Sequence, residues 1–169
     1  MFRKILFPFL VGASIVTGVC KNTDINRYAT TVPIAEIGYV NEDKIESRGF
    51  AGCTALILDY KDKATMAHAI GDSEDRINIY NVVEKSSEEL KLHGIDPLES
   101  KAIIYSSNKK DIAGIVSDLE NKGIEIKKVL YDPRNITTNL SYDPRLDTLL
   151  LERYNNTGRY DKEIVELSQ

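Results

Sequence analysis

Cys53 and His68 are the two residues whose types and separation could support covalent acyl chemistry. Cys53 stands in the string Arg48-Gly49-Phe50-Ala51-Gly52-Cys53-Thr54. A thiolate is a strong nucleophile, but a base or a cation must hold it in that form near neutral pH. Gly52, directly before the cysteine, lets the backbone bend and lets a substrate approach the main chain closely. Backbone N–H groups at Gly52 and Cys53 on such a bend could hold a tetrahedral oxyanion.

Two histidines are available as the base. His93 falls at a predicted helix end before Gly94, where a positive ring is favoured by the helix dipole. His68 lies between Ala67 and Ala69 in an apolar segment and has no such explanation. The residues by themselves equally accommodate an inert core cysteine and a satisfied core histidine.

The elements that must bring the pair together are a strand, a turn and a return strand. Thr54 to Tyr60 is a short apolar run of the kind found in buried strands. Lys61-Asp62-Lys63-Ala64 reads as a charged turn, and Thr65 to Ile70 as the returning strand. If Tyr60 opposes Thr65, Ile57 opposes His68. Cys53 then shares a face with His68 but lies four positions out of register, roughly 13 Å along a strand rising about 3.3 Å per residue. Contact would need the strand to bend, bulge or start after Cys53. A one-residue slip would put the two on opposite faces.

The remaining pattern predicts a mixed fold. Ile34 to Val40 reads as a first strand after a polar lead-in over 21–33, with a turn at Asn41 to Lys44. Ile77 to His93 reads as helical, with Ser86 and Glu89 as a capping box that would divide it. Ala102 to Tyr105 and Ile124 to Tyr131 read as strands. Between them, Ile112, Ile115, Val116 and Leu119 mark a helix over Asp111 to Lys122, closed by Gly123. Leu146 to Arg153 and Arg159 to Leu167 form a closing hairpin. The expected class is α/β in the α+β sense: mixed, largely antiparallel sheets of six or seven strands, packed with two or three helices. The string Tyr-Asp-Pro-Arg occurs at Tyr131 to Arg134 and at Tyr142 to Arg145, and both copies read as loop punctuation whose arginines could contact a partner.

The chain has 169 residues, 22 Lys+Arg against 26 Asp+Glu, and 42% hydrophobic residues. That length predicts one domain able to bury a core, and the acidic balance argues against a protein built to grip phosphate backbones. Phe2-Arg3-Lys4 followed by an uncharged run from Ile5 to Val19 reads as a secretory signal over residues 1–20, too short for a comfortable membrane span. The expected division is therefore a signal over 1–20 and one domain over 21–169, exported to the periplasm or beyond. Cys20 offers a lipoprotein site, although Val19 precedes it where small residues are usual. With Cys20 removed or lipidated, Cys53 is the one thiol left. Asn-x-Ser/Thr strings occur at Asn135, Asn139 and Asn155. The sequence contains no clustered Cys/His ligand set and no glycine-rich phosphate loop.

Phe50-Ala51-Gly52-Cys53-Thr54, with His68 fifteen residues later, resembles the Cys/His core shared by the chemoreceptor glutamine deamidase CheD and the catalytic domain of cytotoxic necrotizing factor toxins. Met66-Ala67-His68 is similar to the histidine strand of the first branch. The Cys-to-His spacing and the His68-Ala69-Ile70-Gly71-Asp72 ending are similar to the second. The likeness covers about residues 45 to 72. Ala51 departs from the Ser or Gly usual there, and the glycine pairs of the chemoreceptor branch are missing.

The resemblance implies a Cys-dependent hydrolase that converts protein glutamine to glutamate through a thioester on Cys53. His68 would be the acid and base. Ser47, six positions before the cysteine, would orient or polarise the histidine. Gly52 and Cys53 would supply backbone support for the oxyanion. It also implies no metal and no organic cofactor, and a protein substrate carrying a reactive glutamine; the acidic charge balance adds the expectation of no nucleic acid. With the export signal, the expectation is a toxin-like effector acting on a host protein. A non-catalytic exported binding domain of the same fold, and another cysteine amidase or peptidase, stay open as alternatives.

Overall fold

A computed structural model describes residues 29–71, 76–134, 136–155, 157 and 160–167. The predicted export signal, Cys20, Asp72 and Asn135 lie outside the described residues. Ten strands and two helices follow in chain order: β1 (Ala29–Val32), β2 (Ile37–Asn41), β3 (Lys44–Phe50), β4 (Thr54–Tyr60), β5 (Lys63–Ala69), α1 (Val82–Leu92), β6 (Lys101–Ser106), α2 (Lys109–Lys122), β7 (Glu125–Tyr131), β8 (Thr137–Asp143), β9 (Thr148–Tyr154) and β10 (Tyr160–Glu166). A short 3₁₀ turn at Pro97–Glu99 leads into β6.

The strands form two five-stranded sheets, ordered β1-β3-β8-β9-β10 and β2-β5-β4-β6-β7. Among the described strands, β1 with β3 and β6 with β7 pair in parallel and the other strand pairs are antiparallel. The protein is thus α+β, with two mixed, mostly antiparallel sheets and two α-helices, the class that the sequence pattern predicts, although ten strands stand where six or seven were expected.

Burial explains the strand sequences. One apolar cluster lies between the sheets, with Ile45, Phe50, Leu140 and Leu151 from the first facing Ala55, Ile57, Met66 and Tyr105 from the second. A second cluster joins the other face of the second sheet, through Leu56, Leu58, Ala67 and Ile104, to Val83 and Leu90 of α1 and Ile115 and Leu119 of α2. With both faces covered, β4 reads as an unbroken apolar run rather than an alternation. The first sheet is covered on one face, so β8 alternates, burying Thr138, Leu140 and Tyr142 between less buried positions.

Several expectations are corrected. The lead-in is not all irregular, because Ala29–Val32 pairs in parallel with β3. Ile34 to Glu36 form a turn before β2, with Ala35 at φ 62°. The β4–β5 turn is two residues long, Lys61-Asp62, since Tyr60 pairs with Lys63. The helix starts at Val82 and runs through Ser86 undivided, so no capping box interrupts it. Before it, Asn78 Oδ1 accepts from the Tyr80 and Asn81 amides, folding Ile77 to Asn81 into a turn. Gly123, at φ 75°, closes α2 as predicted. No helix among the described residues is long and apolar enough to cross a membrane.

Candidate active site

The β4–β5 register decides the relation between Cys53 and His68. Ala55, not Ile57, lies opposite His68, and Thr54 lies opposite Ala69. The shift relative to the predicted register is even, so Cys53 and His68 keep the same face. Their offset falls from four positions to two, the diagonal-neighbour relation across a strand pair. The cause is the turn: four residues were expected to reverse the chain, and Lys61-Asp62 suffice, with Lys61 in the left-handed region at φ 58°.

His68 is held on every side. Its N–H donates to the Glu36 carbonyl at 3.0 Å and its carbonyl accepts from the Ala35 amide at 2.8 Å. Both groups therefore point toward β2, which leaves Ala55 and His68 as a non-hydrogen-bonded pair with close side chains. The ring is 0% exposed. Nδ1 lies 2.8 Å from Ser47 Oγ, and Ser47 Oγ donates to the Val32 carbonyl at 2.7 Å. A hydroxyl has one proton to give. With that proton on Val32, Nδ1 must itself donate to Ser47, which fixes the proton on Nδ1 and leaves Nε2 as a lone-pair acceptor. Nε2 is buried and has no hydrogen-bond partner among the described residues. Burial also pulls the imidazole down to about 4, so the ring is neutral near pH 7.

A β-bulge makes this arrangement possible. Ser47 pairs with Leu140, while Phe50 pairs with Thr138, so β3 carries one extra residue between them. In a regular strand, residues three apart face opposite sides. The extra residue turns Phe50 back to the same side, and both Ser47 and Phe50 are buried against His68. Gly49 takes φ 82° in the bulge, and its N–H donates to Asn139 Oδ1 at 3.1 Å. Asn139, the first residue of one Asn-x-Ser/Thr string, thus uses its side chain to pin the bulge.

Cys53 follows a second left-handed glycine, Gly52 at φ 85°, and sits just before β4, half-buried against the inter-sheet cluster. Burial pushes its thiol up, partly offset by a backbone hydrogen bond at Ala51. The resting pair is therefore thiol and neutral imidazole rather than thiolate and imidazolium.

Of the predicted site residues, Ser47 and His68 are in direct contact, and Cys53 shares their face two positions away. Three contributors were not legible: the Val32 carbonyl, the Phe50 ring stacked on His68 at 3.8 Å, and Asn139 behind the bulge. Phe50 stood in the motif itself, whereas Val32 was hidden in a polar lead-in. His93 is occupied elsewhere, stacked on Tyr39 at 3.5 Å and bonded through Nε2 to Glu89 at 3.2 Å. The repeated Tyr-Asp-Pro-Arg strings share one local design. Arg134 folds back on Asp132 at 2.6 and 2.7 Å, and Arg145 on Asp143 at 3.4 and 3.3 Å. Arg153 also reaches Asp132, at 2.8 Å.

No protein-family model matches the chain, and no curated protein matches it. Among solved structures, the chain is similar to the C-terminal domain of CNFy from Yersinia pseudotuberculosis, at 12% identity and a TM-score of 0.43. The match covers 81% of this chain, which spans 62% of that domain's length.

Proposed function

We propose that the protein is an exported protein-glutamine deamidase with Cys53 as nucleophile, His68 as acid and base, and Ser47 as the group that orients His68. The observation that carries this reading is the buried chain from Val32 through Ser47 to His68, which leaves Nε2 as an unsatisfied acceptor on the face shared with Cys53. A buried polar atom without a partner costs stability and calls for a reason. A proton arriving from the cysteine supplies one.

In the proposed reaction, Cys53 Sγ attacks the carboxamide carbon of a glutamine side chain as its proton passes to His68 Nε2. The oxyanion forms against the Cys53 and Gly52 N–H groups. His68 returns the proton to the leaving nitrogen, the C–N bond breaks, ammonia departs and a thioester remains. His68 then takes a proton from water, whose oxygen attacks the thioester, and the same proton goes back to sulfur. Glutamine and water become glutamate and ammonia. A primary amine in place of water gives transglutamination by the same route. The motif at Phe50 to Thr54 is similar to that of the deamidase superfamily, and the apolar N-terminal run supports export and a toxin-like effector role.

The test is incubation of the full chain with glutamine-bearing proteins and, separately, with free glutamine. Ammonia release and Gln-to-Glu conversion by mass spectrometry are followed beside Cys53→Ser and His68→Ala. Conversion in protein but not in the free amino acid, lost in both folded variants, is expected. Full activity in either variant contradicts the assignment.

A further inference from the structure

Phe50 is 2% exposed and lies flat on His68, with centroids 3.8 Å apart and planes 13° from parallel. Tyr105 meets Phe50 edge-on at 6.0 Å and 75°. Tyr105 is itself fixed, because its hydroxyl donates to Thr138 Oγ1 at 2.7 Å, and Thr138 is the cross-strand partner of Phe50. The stack therefore closes on itself, from His68 through Phe50 and Tyr105 to Thr138 and back to β3.

We infer that Phe50 is a positioning residue that sets the plane of the His68 ring and thereby the direction of Nε2. This rests on the reading of Cys53 and His68 as the reacting pair. A single hydrogen bond at Nδ1 fixes which nitrogen donates but leaves the ring free to rock about that bond. A flat neighbour at stacking distance removes that freedom, since any rotation of the imidazole drives it into the phenyl face. The Gly49 bulge is what makes the contact available, because without the extra residue Phe50 would face away. The aromatic face also suits the step in which His68 carries the thiol proton, since a transient cation is stabilised over a ring.

The experiment uses two readouts that need no glutamine substrate: the His68 tautomer, from two-bond nitrogen–proton NMR correlations, and the rate of Cys53 alkylation by iodoacetamide at pH 7. Phe50→Leu keeps an apolar side chain in the slot but removes the flat face. The expected result is a folded protein that keeps the His68 tautomer set by Ser47, with alkylation slowed by about tenfold to a hundredfold as the ring loses its orientation. A folded Phe50→Leu protein that alkylates at the wild-type rate, or one whose tautomer is lost along with the rate, overturns the inference. If that variant does not fold, Phe50→Met is read in the same way. It fills the slot with an unbranched apolar chain that has no flat face, and an unchanged rate overturns the inference there. Because neither readout requires turnover, a protein that deamidates nothing still decides the role of Phe50.

Discussion

Ser47 Oγ stands between the Val32 carbonyl, at 2.7 Å, and His68 Nδ1, at 2.8 Å, and so ties the histidine's tautomer to the backbone of the first strand. The relation joins the two sheets, since Val32 and Ser47 belong to one and His68 to the other. A neutral backbone carbonyl ends the chain, so the arrangement fixes direction without adding charge. That accords with a histidine whose protonation burial suppresses.

Ser47→Ala removes the middle of that chain. Two buried partners lose their bonds, at a cost of about 1–3 kcal/mol in urea unfolding. His68 then no longer has a defined tautomer, and any Cys53-dependent turnover is expected to fall at least tenfold, on the scale of about 10²–10⁴ that acid–base catalysis contributes. A Ser47→Ala protein with native turnover would separate the hydroxyl from the chemistry.

Gly49→Ala tests the bulge. A Cβ at Gly49 meets nothing within 4 Å, so the penalty comes from φ +82° alone. A loss of about 1–2 kcal/mol is expected from placing an L side chain there. Chemical denaturation measures it, and an unchanged midpoint would show that the left-handed conformation is not required.

The His68 environment predicts a pH dependence of stability. Its ring falls from 6.5 to about 4 on folding because burial penalises the charged form. Below 6.5 the unfolded chain takes up a proton that the folded chain refuses until about pH 4. This contribution is therefore complete above 6.5 and is lost progressively as pH falls toward 4, by about 3 kcal/mol at most. The comparison is wild type against His68→Gln between pH 7 and pH 4. The wild type should lose more stability over that window, and parallel curves would place the imidazole in a wetter site.

Much of this site was legible because its signals are local. Gly52-Cys53, the apolar run of β4 and His68 among alanines all lie within one hairpin, from residue 52 to residue 69. Their shared face survived a wrong turn length only because the error was even. What was not legible depends on contacts distant in sequence. β8 was missed because its outward positions, Thr137, Asn139 and Ser141, are polar on a sheet with one covered face, and only Leu140 and Tyr142 supply an apolar signal. β1 is four residues held by a parallel partner, which no local pattern announces. The bulge has no periodicity signature, so the contact between Phe50 and His68 stayed hidden although both residues were in view.

The most direct test of the central claim is the rate of Cys53 alkylation from pH 3 to pH 10 in wild type and in His68→Ala. A working pair predicts a faster reaction in the wild type around pH 7, with the advantage disappearing as pH falls through about 4, where Nε2 takes a proton. Superimposable profiles in the two proteins would contradict the account and leave Cys53 as a half-buried core thiol.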